Sequence, residues 1–440
     1  MLAYAEPGAD AAMTRHDQTR GRYRDALGHR DLRLLIGAFL ADQIGSWSYV
    51  VVLAVYVFDR THSAQWLAAV GVCRWAPGLL LSSYAGVIAD RCERVAVLRA
   101  CALASAALMA GMAVAVASDA PVALILAIAA VAAAAFTPYQ PAADALTPQI
   151  AGEKDLAPAN AIFSALENLV VVLGPGIGGL LLLTGKPVTG IVVNAASFAA
   201  AAAIVSRLRV RSRGSGGTDG GAAQQFTAGV RALAAQPAAV AVVLFCALGS
   251  AVYGASTVVY VPLSVRLGTG PGGYSYLLAG AALGGVLGAG LASRLSRASR
   301  LAPVLMGSIC LQALPFLATI ALHSPVPAAA LQAASGTGMV IVDVLALTTL
   351  QRDLPGDVLS RVLGIFQTTL LAGILLASLA AGVLLAHAGL NATLAAIGAG
   401  IPAIALLGLP ALLRADRTSA ATPAWSSTCP PGRSGPGVPA

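Results

Sequence analysis

The sequence predicts an all-α integral membrane protein with twelve transmembrane helices arranged as two pseudo-symmetric six-helix bundles. Three observations carry that expectation. The first is composition: of 440 residues 58% are hydrophobic and 10% charged, with a mean hydropathy of +0.79, whereas soluble domains average roughly 25% charged and 45 to 50% apolar. Its 27 basic and 19 acidic residues are too few to clothe a water-facing surface of this size, so lipid is the solvent for most of the chain. The second is repetition of apolar stretches long enough to cross a bilayer. The third is one polar, glycine-rich break near the middle.

A hydrocarbon core of about 30 Å takes about 20 apolar residues in a helix. Such stretches run from Leu34 to Phe58, Trp66 to Ile88, Val95 to Ala117, Pro121 to Ala145, Ala161 to Thr184, Val188 to Val205, Ala238 to Val261, Tyr274 to Leu291, Leu301 to Leu322, Val326 to Leu350, Leu359 to Ala386 and Leu390 to Leu413. Each is about twice the length of a barrel strand and lacks polar alternation, which excludes a β-barrel. The break RLRVRSRGSGGTDGGAAQQF follows the sixth stretch, and no helix pattern crosses it. The expected organisation is an amino-terminal arm (1–33), a first six-helix half (34–206), a linker (207–236), a second half (237–413) and a disordered tail (414–440) rich in Pro, Gly and Ser. The arm has no apolar run before Leu34, so the first helix is not a cleavable signal.

Orientation follows from the basic residues. Twenty-three of the 27 fall on the side of the arm, the linker and the tail; Arg60, Lys186 and Arg266 fall on the other side, and Arg74 lies within a helix. Both termini are therefore expected in the cytoplasm. The excess of arginine over lysine and the alanine-rich helices suggest a bacterial source, hence the bacterial plasma membrane. The positive charge sits in short loops without interleaved aromatics, which excludes nucleic-acid binding. Six scattered cysteines and five scattered histidines form no disulfide framework, zinc site or metalloprotease motif. Gly185-Lys186-Pro187 lacks the spacing of a phosphate loop. No enzyme activity, cofactor or metal is expected.

Gly86-Val-Ile-Ala-Asp90-Arg91-Cys-Glu-Arg94, between helices two and three, resembles the G-x-x-x-D-R-x-x-R signature of the major facilitator superfamily. A weaker echo, Ala289-Gly-Leu-Ala-Ser-Arg294-Leu-Ser-Arg297, follows helix eight. Phe136-Thr-Pro-Tyr-Gln-Pro141, Ala159-Asn-Ala161, Gly174-Pro175-Gly-Ile-Gly178-Gly179, Asn194-Ala-Ala-Ser-Phe198 and Thr349-Leu-Gln-Arg352 through Ser360-Arg361-Val362 are similar to the siderophore and macrolide exporter branch. The resemblance implies the major facilitator fold, with Asp90 and Arg91 latching a cytoplasmic gate and Arg94, Arg294, Arg297, Arg352 and Arg361 belonging to the gate segments. The alternative for the Asp90 loop is that its charge merely sets topology. Gly86 is expected to let helix two approach its neighbour closely. Two departures stand out: helix four has no basic residue, where many proton-coupled exporters carry an arginine, and Val170 occupies the position of the glycine expected four residues before Gly174.

Four charges lie deep within the apolar stretches, away from their ends: Asp42, Arg74, Glu167 and Asp343. Each costs about 2.5 to 3.5 kcal/mol at mid-bilayer on insertion scales and so faces a cavity or a partner. By helical rise, Asp42 and Arg74 differ in level by about 6 Å, so they either pair or face water separately. The carboxylates are candidates to take up a proton on one side and release it on the other, or else they make structural polar contacts. Gly280-x-x-x-Gly284-x-x-x-Gly288 in helix eight is expected to serve either static packing or sliding between helices. The expected function is a secondary active transporter, a proton-coupled exporter of a small amphipathic organic molecule that works as a monomer by alternating access. An importer or facilitator on the same fold is the alternative, followed by a non-transporting membrane protein.

Overall fold

The computed structural model describes residues 25–212, 227, 230, 231, 233, 234, 236–295, 301–353 and 356–421. Most of the expected arm and tail, the centre of the linker and Arg297 lie outside the described residues. The helices are α1 (Arg30–Thr61), α2 (Ala64–Arg91), α3 (Arg94–Ala117), α4 (Val122–Phe136), α5 (Tyr139–Leu182), α6 (Pro187–Val205), α7 (Pro237–Arg266), α8 (Tyr274–Leu295), α9 (Leu301–Ala318), α10 (Pro325–Asp353), α11 (Gly356–Ala395) and α12 (Ile401–Ala421). No β-strand occurs among the described residues.

Two glycines in the left-handed region mark turns that continuous helices conceal. Gly152 (φ 67°) breaks α5, so its first part completes the fourth expected helix and its second part is the fifth. Gly389 (φ 80°) breaks α11, and its last residues continue through a π-helical turn, Ala396–Gly400, into α12. Only glycine takes such a conformation without strain. With these breaks the described residues form twelve helical segments. Nine spans meet the length and apolarity of a membrane crossing among the described residues, and one of them, Val362–Pro410, contains Gly389. The fifth helix begins at Glu153, ahead of the expected Ala161, because Glu-Lys-Asp-Leu-Ala-Pro-Ala-Asn is polar yet helical. Hydropathy locates the lipid, whereas helix formation continues beyond it.

The packing repeats between the halves. In the first, α1 lies on α5 and α6, α2 on α4, and α3 on α4 and α6; in the second, α7 lies on α11, α8 on α10, and α9 on α10 and α12. Shifting each number by six maps α1–α5 onto α7–α11 and α2–α4 onto α8–α10. The halves meet through α2 against α11 and α5 against α8, which exchange under the same shift. The outward surface is apolar: Leu407, Leu183, Val114 and Leu287 are exposed. Asp42, Ser48, Asn194, Gln312 and Gln332 are buried. This is the polarity expected of a bundle dissolved in lipid.

Helices in hydrocarbon gain little from burying leucine, so they associate by close backbone approach. The α8–α10 seam shows this most clearly. A Cβ added at Gly284 would collide with the Ala333 carbonyl oxygen, one at Gly336 with that of Ala281, and one at Gly288 would stand 2.7 Å from the Thr337 carbonyl oxygen. Thr337 Oγ1 donates to the Gly284 carbonyl at 2.9 Å across the same seam. Both helices belong to one half, so the glycine row serves static packing. The expectation is that Gly284→Ala lowers the melting temperature of the purified protein, since overpacking costs about 1 to 3 kcal/mol. Gly111→Ala in α3, where a Cβ meets nothing within 4 Å, should be neutral or stabilising by up to about 1 kcal/mol. Equal melting temperatures for the two variants would contradict this packing scheme.

Candidate functional site

The end of the bundle carrying the linker and the chain ends is here the terminal face, and its opposite the far face. At the far face one apolar cluster unites the halves: Val51, Ala54, Val55, Leu67 and Ala68 of the first pack with Val252, Leu277, Phe316, Ala381 and Leu394 of the second. The other four clusters of buried residues each lie within one half. Small residues set this junction. Gly71 would touch the Ser378 side chain at 3.3 Å if it carried a Cβ, Gly382 would collide with Ala68, and Gly179 with Ser275.

The helix-five motif thus has two tasks. Gly174 and Gly178 face α1, where Cβ atoms would strike Trp47 and, at 2.6 Å, the Ser48 carbonyl oxygen; Ser48 Oγ donates to the Gly174 carbonyl at 3.0 Å. Gly179 faces α8 in the other half. The Pro175 side chain lies outside the described residues.

Behind the far-face junction, a cavity of about 330 Å³ lies among α1 to α6, with Leu371 of α11 closing one side. Arg74 lines it, its guanidinium 5.2 Å from the Trp75 ring centroid, a cation–π contact. Trp75 in turn meets Tyr253 of the second half edge to face at 6.4 Å. Tyr49, Ser46, Ser105, Gln140 and Asn194 supply the polar wall, and Phe136, Phe198 and Met109 the apolar wall. The Tyr49 hydroxyl and Ser105 Oγ are buried without a hydrogen-bond partner among the described residues.

The four intramembrane charges do not converge. Asp42 is 1% exposed and accepts a hydrogen bond from Ser46 Oγ at 3.4 Å, so it stands behind the cavity wall. No carboxylate lies within 4.0 Å of the Arg74 guanidinium among the described residues, although its charge acts on Asp42 and Tyr49. The direct Asp42–Arg74 pair is therefore not made. Glu167 lines a second cavity of about 400 Å³ with Asp144, Gln140, Asn160 and Phe163; Gln140, which borders both cavities, donates to Asp144 Oδ1 at 2.9 Å. Asp343 sits apart in the second half, half-buried, with Cys246 Sγ 3.8 Å from its Oδ1.

Sequence reading missed Asp144, whose signal was an acid inside the fourth apolar stretch next to its polar end. It also missed Glu93, which caps α3 by accepting from Val95 N at 3.2 Å and Ala96 N at 2.7 Å. At the terminal face the signature loop is a strap within its own half. Arg94 Nη1 donates to the Ala145 carbonyl at 3.1 Å and to Ser212 Oγ at 2.8 Å, and Arg94 N donates to the Ser212 carbonyl at 3.0 Å. Asp31 accepts from the amides of Arg209 and Val210, so residues 207–212 are tied to both α1 and α3. Arg91 and Arg294 are exposed. Among the described residues the close approach expected at Gly86 is not made, because a Cβ there meets nothing within 4 Å, and no apolar cluster of described residues joins the halves at this end. The side chains of Asp90, Arg352 and Arg361 lie outside the described residues, as does Arg297.

With this geometry in view, a family model described as Major Facilitator Superfamily matches residues 34–378. The curated staphyloferrin A transporter of Staphylococcus aureus (strain NCTC 8325 / PS 47) is 27% identical over 141 residues, which cover 32% of this chain and 36% of that protein. The match thus spans about a third of the relative's length. Three solved structures share the fold over 88% of this chain. A bacterial homologue of the human lysosomal transporter Spinster, inward-facing and unoccupied, aligns with a TM-score of 0.65 at 16% identity over 97% of its chain. The nucleoside transporter NupG aligns at 0.67 and 14% over 98%, and a POT family transporter in complex with 5-aminolevulinic acid at 0.72 and 12% over 96%.

The strap has a measurable consequence. Arg94→Ala should raise amide hydrogen exchange at Arg209 to Ser212 and lower the melting temperature, since hydrogen bonds from charged groups contribute about 1.5 to 3 kcal/mol. Unchanged exchange in that segment would show that Arg94 does not hold it.

Proposed function

The chain belongs to the Major Facilitator Superfamily, and we propose that it is a secondary active transporter that exports a small amphipathic organic molecule in exchange for protons. The observation that carries this reading is a mid-bundle cavity lined by an arginine that has no carboxylate partner among the described residues, next to the apolar cluster that unites the two bundles at the far face. A channel needs a continuous polar lining, and this cavity has none: its polar groups are local and its remaining wall is apolar.

The cycle runs by alternating access. Cargo enters from the terminal face, the halves rock so that the far-face cluster parts and the terminal face closes, and cargo leaves on the other side. Asp42, one hydroxyl away from the cavity through Ser46, is the proton carrier closest to the cargo. Glu167, beside Asp144 in the terminal-side cavity, exchanges protons with the water there. Asp343 keeps a structural role against Cys246. In the closed state Asp90 and Arg91 meet the opposite half, with Arg294, Arg297, Arg352 and Arg361 flanking them, while Arg94 stays fixed to Ala145 and Ser212. Both termini face the cytoplasm of a bacterial cell, since the arginine-rich loops lie with them. One chain contains both halves, so a monomer suffices. The partial exporter motif at Gly174 to Gly179 favours export.

Everted membrane vesicles carrying the full chain test this with a panel of dyes, macrolides and siderophores. The expected result is accumulation of some member inside the vesicles that a protonophore abolishes. Asp42→Asn and Glu167→Gln should reduce it to the protonophore background at wild-type protein levels. Wild-type rates in both variants would remove these acids from the mechanism, and cargo moving only in the opposite sense would make the protein an importer.

A further inference from the structure

The central cavity is mismatched in its hydrogen-bonding groups. Arg74 brings a fork of N–H donors and no carboxylate answers it within 4.0 Å among the described residues. Two buried hydroxyls of lining residues, Tyr49 Oη and Ser105 Oγ, have no hydrogen-bond partner among the described residues, although the residues are only 7% and 1% exposed. Buried polar groups normally find partners, and each one left unmade is costly. The nearest acid, Asp42, is engaged by Ser46 and shielded behind it. Trp75, Phe136 and Leu371 add apolar surface to the lining.

From this complement we infer that the cargo is an amphipathic organic anion whose carboxylate docks on Arg74 while its apolar body lies along the aromatic wall. A guanidinium presents two parallel N–H groups that match a carboxylate, and Tyr49 and Ser105 supply further donors to the same oxygens. A cationic cargo would place like charge beside Arg74 in a poorly screened site. A neutral amide would leave the guanidinium without its counter-charge. The inference rests on the transporter reading and narrows it to one chemical class.

Binding separates this inference from transport. Trp75 lies beside Arg74, so tryptophan fluorescence of the purified full-length protein reports occupancy. The titrants are 4-phenylbutanoate and 4-cyclohexylbutanoate, each set against its own amide and amine. The acids should bind at least about tenfold more tightly than their amides or amines, in line with the contribution of a charge-assisted hydrogen bond. Arg74→Gln should abolish that preference, and Arg74→Lys should keep it in weakened form. Equal binding of acid and amide, tighter binding of the amine, no binding of either acid, or an unchanged preference in Arg74→Gln would each overturn the inference. The preference within the wild-type protein needs no variant, so a misfolded mutant does not obscure it. Arg74-dependent acid binding without gradient-driven movement in vesicles would defeat the transport reading and leave the site standing. Gradient-driven export of amines alone would do the reverse.

Discussion

In hydrocarbon a leucine gains little by leaving lipid for another helix, so this fold depends on how closely backbones approach one another. Wherever helices must hold, small residues line the contact. Gly284 and Gly336 interlock α8 and α10, and a Cβ at Gly254 of α7 would collide with the Ile374 carbonyl oxygen of α11. Gly45, Gly174 and Gly178 seat α1 against α6 and α5. These seams make each half a solid block. The contacts between the blocks are fewer and are made mainly by α2–α11 and α5–α8, with small residues at Gly71, Gly179 and Gly382.

That inequality turns packing into a mechanism. Two rigid blocks joined through an apolar cluster at one face can rock about the level of the cavity without unfolding either. The charges lie on that level or beside it: Arg74 in the wall, Asp42 one hydroxyl behind, and Glu167 toward the terminal face. A cavity of about 330 Å³ is at the small end of ligand pockets, which suits a small organic molecule. The aromatic contact between Trp75 and Tyr253 joins the Arg74 segment to the second half, so cargo held on Arg74 touches the element that links the two blocks.

The all-α membrane fold and its pairing into two halves were legible in the sequence because apolar length and a polar break leave few alternatives, and the twelve helical segments among the described residues are consistent with the twelve expected stretches. The turn at Gly152 and the early start of helix five were not, since Glu153 to Asn160 are polar and hydropathy cannot distinguish helix in water from loop. The candidate site was legible as a set of charges in the wrong solvent: Arg74, Asp42 and Glu167 each border a cavity or stand just behind its wall. Which charges share a wall was not legible, because that depends on rotation about helix axes to within a few tens of degrees. Asp42 and Arg74 were within reach by level, yet Ser46 intervenes. Arg94 looked like part of a latch between halves, yet its partners Ala145 and Ser212 lie within its own half and at the start of the linker, which spacing along the chain could not reveal.

Cross-linking the far face tests the central claim, that transport requires the small-residue junction between the halves to open and close. In a chain stripped of its own cysteines, Gly179→Cys and Ser275→Cys stand where α5 meets α8. A disulfide formed by mild oxidation should stop transport in vesicles, and reduction should restore it. Full transport by the cross-linked protein would mean that the halves need not part at this face and that transport does not proceed by alternating access about this junction.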